Sequence, residues 1–348
     1  GDFRGNVRLV EGEVIGTGRR GESRLEGRYL RLMDDALLVT PDYSVRADTI
    51  FQDRATGHGE AFGNVKIMEP GAQNLITGRH AVFHEGGEVA EVDRDPVLVS
   101  REQSGGAVRS EAGLMRFFRA EDRVVMVDSV RIRQGQTLAR ADTAVASGRE
   151  RMVLTGSPSV AMGDQSVMYG DQLDFRYRDG ELRQLIIVGN GRMEDAGPDS
   201  LAAVYQGLPT MDVLEGDSIT VDFENRELRR SVVVGNAHSL YTPRDLSDEV
   251  ATNDVTGDTI TIFFRRQKVA RVKVLGNADG RYRFARVAAM REMLGKSRRM
   301  ADLLARGRED STGVVADSLS AEIDSLAGTM GLPVAQMADG VLDSLLAA

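Results

Sequence analysis

Three ungapped segments decide how this chain is read: residues 168–193, MYGDQLDFRYRDGELRQLIIVGNGRM; residues 214–239, LEGDSITVDFENRELRRSVVVGNAHS; and residues 255–280, VTGDTITIFFRRQKVARVKVLGNADG. In each, a Gly-Asp pair stands 19 residues ahead of a Gly-Asn pair: Gly170-Asp171 with Gly189-Asn190, Gly216-Asp217 with Gly235-Asn236, and Gly257-Asp258 with Gly276-Asn277. Identical spacing in three copies marks an internal repeat, the feature that governs the fold of such a chain. Weaker copies lie upstream. Arg46-Ala47-Asp48-Thr49 leads to Gly63-Asn64, and Arg140-Ala141-Asp142-Thr143 leads to Gly156 and Pro158. Residues 77–97 and 108–132 keep the same outline, so the repeat covers most of residues 1–284.

Inside a copy the period is two. Leu173, Phe175 and Tyr177 alternate with Gln172, Asp174 and Arg176, and the equivalent apolar sets are Ile219, Val221, Phe223 and Ile260, Ile262, Phe264. Such alternation is the mark of a strand with one buried face. A polar turn follows, Arg178-Asp179-Gly180-Glu181 in the first copy, and Asp-Gly favours a tight hairpin because Gly tolerates positive φ. A second strand runs over residues 182–188 or 228–234. The expected fold is therefore all-β, an extended antiparallel array of stacked hairpins. One apolar face per strand obliges the sheet to fold over or to stack on another. A thin folded sheet has too little bulk to fill its interior along its whole length. The nine apolar residues named above are thus the candidate lining of a lipid-binding groove. An open array also has unpaired edges at its two ends, which can template pairing with another chain.

Composition agrees and excludes. The 348 residues include 38 Gly, only 8 Pro, and no Cys or Trp. Many Gly with few Pro suits an array whose strands must nearly all donate ladder hydrogen bonds. Without Cys there are no disulfides, thiolate metal sites or Cys nucleophile. Lys and Arg total 44 against 53 Asp and Glu, a net charge of −9, which demotes nucleic acid as a partner. No apolar run approaches the ~18 residues that span a bilayer as a helix. The chain opens at Gly1 with no basic-then-apolar signal segment.

Catalytic and metal signals are weak. The Asp171, Asp217, Asp258 ladder has the look of a cation or acid–base site, but a residue recurring in every copy behaves as a turn element. His80 and His84, four apart on a strand, lie about 13 Å from each other, too far for one ion. Gly16-Thr17-Gly18-Arg19-Arg20-Gly21 matches G-x-G-x-x-G without the strand–helix context that motif needs. No G-x-S-x-G elbow is present. No cofactor, metal site or enzymatic activity is expected. From Ala285 the pattern changes: Val287, Met290, Met293, Leu294, Leu303 and Leu304 fall near helical spacing among Arg and Lys, and residues 285–348 are expected to be a helical or disordered tail.

The repeat unit, with Gly63-Asn64-Val65-Lys66-Ile67, Ile76-Thr77-Gly78-Arg79 and Arg94-Asp95-Pro96-Val97, resembles the OstA-like (LptA-type) domain of lipopolysaccharide transport. The resemblance covers residues 1–284 and implies a V-shaped β-jellyroll, open along one side, that shelters acyl chains while sugars stay in water. It implies a periplasmic protein whose leader has been removed. Its partners would be lipopolysaccharide or a related glycolipid, other OstA-like proteins of the bridge, and head-to-tail copies of itself. This chain departs in length, about twice that of a minimal domain, so two fused units with a boundary near residue 160 are one reading. The segment after residue 284 has no counterpart in the family pattern. The net acidity does not favour an anionic lipid, but Arg176, Arg178, Arg265, Arg266 and Lys268 are candidates for a basic rim. Two rival readings remain at this stage: a parallel β-helix that binds or acts on polysaccharide, and a filament-forming solenoid. Strand direction separates the β-helix from the hairpin array.

Overall fold

The computed structural model describes residues 1–69, 74–84, 87–101, 106–163, 166–196, 211–225, 227–242, 249–266, 268–286 and 299. The expected tail at 285–348 lies outside them except for its first two residues, which end a strand, and Arg299. Among the described residues twenty-two strands follow one another: β1 Asp2–Glu11, β2 Val14–Arg24, β3 Tyr29–Val39, β4 Ser44–Asp53, β5 His58–Met68, β6 Asn74–His84, β7 Val89–Asp93 and β8 Val97–Arg101. Next come β9 Ala107–Glu111, β10 Leu114–Phe118, β11 Arg123–Gln134, β12 Thr137–Ser147, β13 Arg151–Thr155, β14 Ser159–Met162, β15 Ser166–Tyr169 and β16 Gln172–Arg178. The last are β17 Glu181–Ala196, β18 Met211–Glu224, β19 Glu227–Tyr241, β20 Glu249–Arg265, β21 Lys268–Leu275 and β22 Asp279–Arg286.

The expected all-β antiparallel fold is what forms. Each resolved strand pairing is antiparallel. That direction removes the parallel β-helix. The Asp179-Gly180 turn has positive φ at both central residues, 54° and 75°, with Arg178 opposite Glu181. This is the hairpin geometry that matches strand twist.

Pairs of consecutive left-handed residues recur along the chain: Gly5-Asn6, Asp34-Asp35, Gly63-Asn64, Arg94-Asp95, Asp128-Ser129, Gly156-Ser157, Gly189-Asn190, Gly235-Asn236 and Gly276-Asn277. Where the register is resolved, each pair makes a bulge or break. Met33 faces Thr49 and Ala36 faces Ala47, so Asp34-Asp35 stand against Asp48 alone. Gly63-Asn64 likewise fall between the pairs Phe62–His80 and Val65–Gly78. An inserted residue bends the bulged strand and raises its twist. Repeated on alternate rungs, the bulges draw a crease across the sheet.

On one side of the crease the strands pair in the order β1-β2-β3-β4-β5-β6-β7-β10-β11-β12-β13-β16-β17. On the other, β8, β9, β14 and β15 replace β7, β10, β13 and β16. Long strands run through the crease, and short ones break at it.

Two compact units result. The first comprises residues 1–193, 215–237 and 257–276, and the second residues 194–214, 238–256 and 277 onward. In the first unit the two half-sheets face each other. A Cβ on Gly16 would press on Leu32, and one on Gly21 would come within 3.1 Å of Val7, each from across the crease. Small inward residues sit where the halves converge: Ala36, Ala47, Ala61 and Ala81 are fully or almost fully buried. Larger ones, Leu30, Ile50, Ile67 and Phe83, fill the space further out. In the second unit, β20 residues 249–256 pair with β22, and the described buried residues include Val255, Ser239 and two threonines. Thr242 donates its N–H to Asp212 (2.9 Å) and shares a hydroxyl contact with Thr252 (3.3 Å), both threonines being buried.

The Gly-Asp…Gly-Asn signature now has a physical cause. Asp171 donates its N–H to the Gly189 carbonyl (2.9 Å), and Asn190 Nδ2 donates to the Asp171 carboxylate (3.2 Å). Asn236 binds Asp217 in the same way (3.1 Å), as Asn64 binds Asp48 (3.0 Å). The glycine before the Asn is doubly required. It adopts φ near 71° at Gly189, and a Cβ there would overlap the Asp171 carboxylate. The glycine before the Asp is required sterically, because a Cβ on Gly170, Gly216 or Gly257 would overlap Ile187, Val233 or Val274.

Gly189→Ala is therefore expected to cost about 2–4 kcal/mol, from left-handed strain plus overpacking. Gly180→Ala carries similar strain with nothing within 4 Å of the added methyl, and is expected to cost about 1 kcal/mol. Urea unfolding of the two variants measures the difference. Combining Gly189→Ala with Asp171→Ala relieves the overlap, so the double variant should lose less than the sum of the singles.

Candidate apolar groove

All nine predicted lining residues lie in the first unit, on strands β16, β18 and β20. They are not equivalent. Leu173, Ile219 and Ile260 are wholly buried, and Val221 and Ile262 are 1% and 6% exposed. Phe175, Tyr177, Phe223 and Phe264 are only half-buried. Each set thus runs from a sealed position next to the crease to a partly open one near the hairpin turn. Neighbours continue the gradient: Leu173 pairs between Leu154 and Ile187, and Phe175 between Met152 and Leu185. The interior next to the crease is a packed core, and aromatic rings form its outer margin. Near that margin, Glu150, Tyr177, Arg178, Asp179 and Arg183 line a depression of about 830 Å³. Tyr177 is tied into it by its N–H, which donates to the Glu150 carbonyl (2.7 Å).

Phe263, adjacent to Phe264, is on the opposite face from Ile262 and exposed, so it does not belong to the lining. The outward face also holds apolar side chains at one repeated position. Val188, Val234 and Leu275, each just before a Gly-Asn pair, are 44%, 47% and 50% exposed.

Alternation alone places Asp174 in water, yet it is 3% exposed. Arg151 reaches it from the neighbouring strand with two bonds (2.9 and 3.0 Å), and Arg176 adds two more (3.2 and 3.1 Å). The chain of contacts continues from Arg176 to Gln184 (3.3 Å), Gln184 to Asp222 (2.9 Å) and Arg230 to Asp222 (2.8 Å). It crosses five strands on the outside of the groove wall and fixes their lateral order.

The Asp171, Asp217 and Asp258 ladder serves the crease. Among the described residues no group of three or more His, Asp or Glu is placed to hold a metal ion. His80 Nδ1 lies 3.0 Å from Asp93, and the His58 and His84 rings approach to 5.6 Å, a contact invisible in the sequence because it needs the β5–β6 register. No helix among the described residues is long and apolar enough to cross a membrane.

Comparison with known proteins gives little at the level of sequence. No family model matches, and no curated protein does. Eighteen chains of solved structures match. One is LptH of Pseudomonas aeruginosa, the LptA-homologous periplasmic component of the lipopolysaccharide transport device. It shares 18% identity over 35% of this chain and 85% of its own, with a TM-score of 0.31. The likeness is weak.

Four carboxylates are held below their ordinary range. Hydrogen bonds from Arg20, Arg46 and Arg28 lower Asp34, Asp35 and Asp53 respectively. At Asp174 burial pushes upward, but the hydrogen bonds and charges of Arg151 and Arg176 outweigh it. A carboxylate lowered in the folded chain contributes stability above its unfolded value of about 3.9, and that contribution is lost as pH falls through the folded value. The urea midpoint of the wild type should therefore drop below about pH 4. The deficit of Asp174→Asn should be largest near neutrality and shrink below about pH 4. A deficit independent of pH would show that the charge of Asp174 contributes nothing.

Proposed function

We propose that this chain is a periplasmic transport or bridge protein for lipopolysaccharide or a related glycolipid. It carries acyl chains against the aromatic margin formed by Phe175, Tyr177, Phe223 and Phe264, and it joins neighbouring proteins edge to edge. The observation that carries the reading is the burial gradient repeated on β16, β18 and β20. The deep residues pack the crease, while the aromatic margin remains reachable. Burying acyl chains there supplies roughly 0.8 kcal/mol per CH₂, enough for several methylenes to hold a lipid without any bond being made or broken.

The edges support the assembly part. Among the described residues, β1 pairs only with β2 and β21 only with β20. Their charges differ. Between Thr259 and Leu275 the sequence has Arg265, Arg266, Lys268, Arg271 and Lys273 and no acidic residue, while the sibling hairpins at 172–188 and 218–234 balance three bases with three acids. β1 carries Asp2 and Glu11 against Arg4 and Arg8. The C-terminal edge is thus suited to an acidic edge on another OstA-like protein better than to β1 of a second copy.

A photo-crosslinking residue at Phe175 or Phe223 is expected to capture lipopolysaccharide in cells, and one at outward Val234 is not. Equal capture at all three positions, or capture at Val234 alone, would overturn the groove assignment.

A further inference from the structure

The outer surface distributes its charge unevenly. On the half-sheet that contains β7, β10, β13 and β16, three outward arginines are matched with carboxylates: Arg116 with Glu91 (3.1 Å) and Arg151 and Arg176 with Asp174. On the other half, strands β9, β11 and β12 bring Arg109, Arg131, Arg133 and Arg140 together. Arg131 is directly opposite Arg140, and Arg133 is directly opposite Arg109. All four are exposed, on the face opposite the buried Ser110, Ile132 and Ala139.

Like charges directly opposite in a sheet are destabilising, and here two such pairs share strand β11. Residues across a strand pair have Cβ atoms about 5 Å apart, and alternate residues along a strand about 6.6 Å, so the four stems form a zigzag over three strands, with Arg131 and Arg133 at its centre and Arg109 and Arg140 at its ends, about 12 Å apart. The nearby acid, Glu111, is opposite Arg131 but bonds Arg109 (2.8 Å). Arg131, Arg133 and Arg140 make no ion pair or side-chain hydrogen bond. Three positive charges remain in a chain whose net charge is −9. A guanidinium cannot shed its proton to relieve the repulsion. An ordinary solvated surface would not concentrate it this way.

We propose that the Arg109, Arg131, Arg133 and Arg140 quartet is a binding site for a phosphate group. A phosphate monoester brings about −1.5 to −2 charges and several acceptor oxygens, which suits forked donors converging from two strand pairs. A single carboxylate would leave most of the repulsion in place. The site is on the outer surface and is independent of the groove reading; either can fail while the other stands.

The test uses the full chain and inorganic phosphate, with binding followed by calorimetry and by the shift in thermal midpoint. Wild type is expected to bind saturably and to melt higher with phosphate. Arg131→Gln with Arg140→Gln should bind at least about tenfold more weakly, having lost two charge-assisted contacts. It should also melt higher than wild type in low-salt buffer without phosphate, because a repulsive pair is gone. Arg24→Gln, an exposed arginine at the end of β2, should bind as wild type does. Equal phosphate binding by the double variant, or no phosphate-dependent stabilisation of wild type, overturns the proposal. A second arm uses vesicles of phosphatidylcholine and phosphatidylglycerol at 3:1. Sedimentation of wild type but not the double variant assigns the phosphate to a lipid headgroup, and phosphate binding without sedimentation assigns it to a soluble ligand.

Discussion

Everything in the first unit depends on one local constraint, the two-residue left-handed bulge held by an ionic or amide clasp. A non-glycine residue at positive φ costs on the order of 1 kcal/mol, and Asn and Asp bear it better than most. The nine consecutive left-handed pairs contain twelve such residues, the other six being glycines, and together they are a large accumulated strain. The clasp offsets it locally. At Gly63-Asn64, Gly189-Asn190 and Gly235-Asn236, an Asp on the adjoining strand receives the Asn amide: Asp48, Asp171 and Asp217. Where the bulge reads Asp-Asp, the polarity reverses: Arg20 and Arg46 reach Asp34 and Asp35 from the flanking strands. Arg79 reaches Asp95 in the same sense (3.1 Å).

Because the bulges line up, the sheet creases, and the crease decides which residue size fits where. Near it the halves converge, so Gly16, Gly78 and Gly170 are opposite Leu32, Val92 and Ile187, and a Cβ on any of them collides. Away from it the halves diverge, and side chains grow from alanine through leucine and isoleucine to phenylalanine and tyrosine. A uniformly apolar strand face thereby becomes a graded one. Its inner end is core and its outer end is accessible, without any change in the alternation that formed the strand.

The parts of this that could be read from sequence were those in which one residue type has one role. Gly-Asp, Gly-Asn and the period-two apolar sets announced the hairpins, their direction and the buried positions Leu173, Ile219, Val221, Ile260 and Ile262. Two crease points escaped because their left-handed pairs are Asp34-Asp35 and Asp128-Ser129, which spell no common motif. Alternation also misjudged Asp174. Its side chain does point outward, but two guanidiniums cover it, one of them 23 residues away and brought near only by the β13–β16 register. The depth of each groove residue was likewise hidden. Leu173 and Tyr177 are the same in pattern and differ only in distance from a crease whose position requires the neighbouring strand.

The same geometry explains why charge can be distributed so unevenly on the outside without disturbing the inside. Inner packing is set by side chains of one parity and by the glycines at the crease. Residues of the other parity contribute to stability only through cross-strand pairs, each worth a few tenths of a kcal/mol to about 1 kcal/mol. Replacing the acids of the sibling hairpins by Arg265, Arg266 and Lys268 in the last one therefore leaves Ile260 and Ile262 buried as before. The outer surface is free to vary rung by rung, with matched charge beside Asp174, unmatched charge at Arg131 and Arg140, and a basic hairpin at the terminal edge. A repeat fold whose interior is fixed by backbone bulges can in this way present different chemistry at each rung while its apolar core stays continuous.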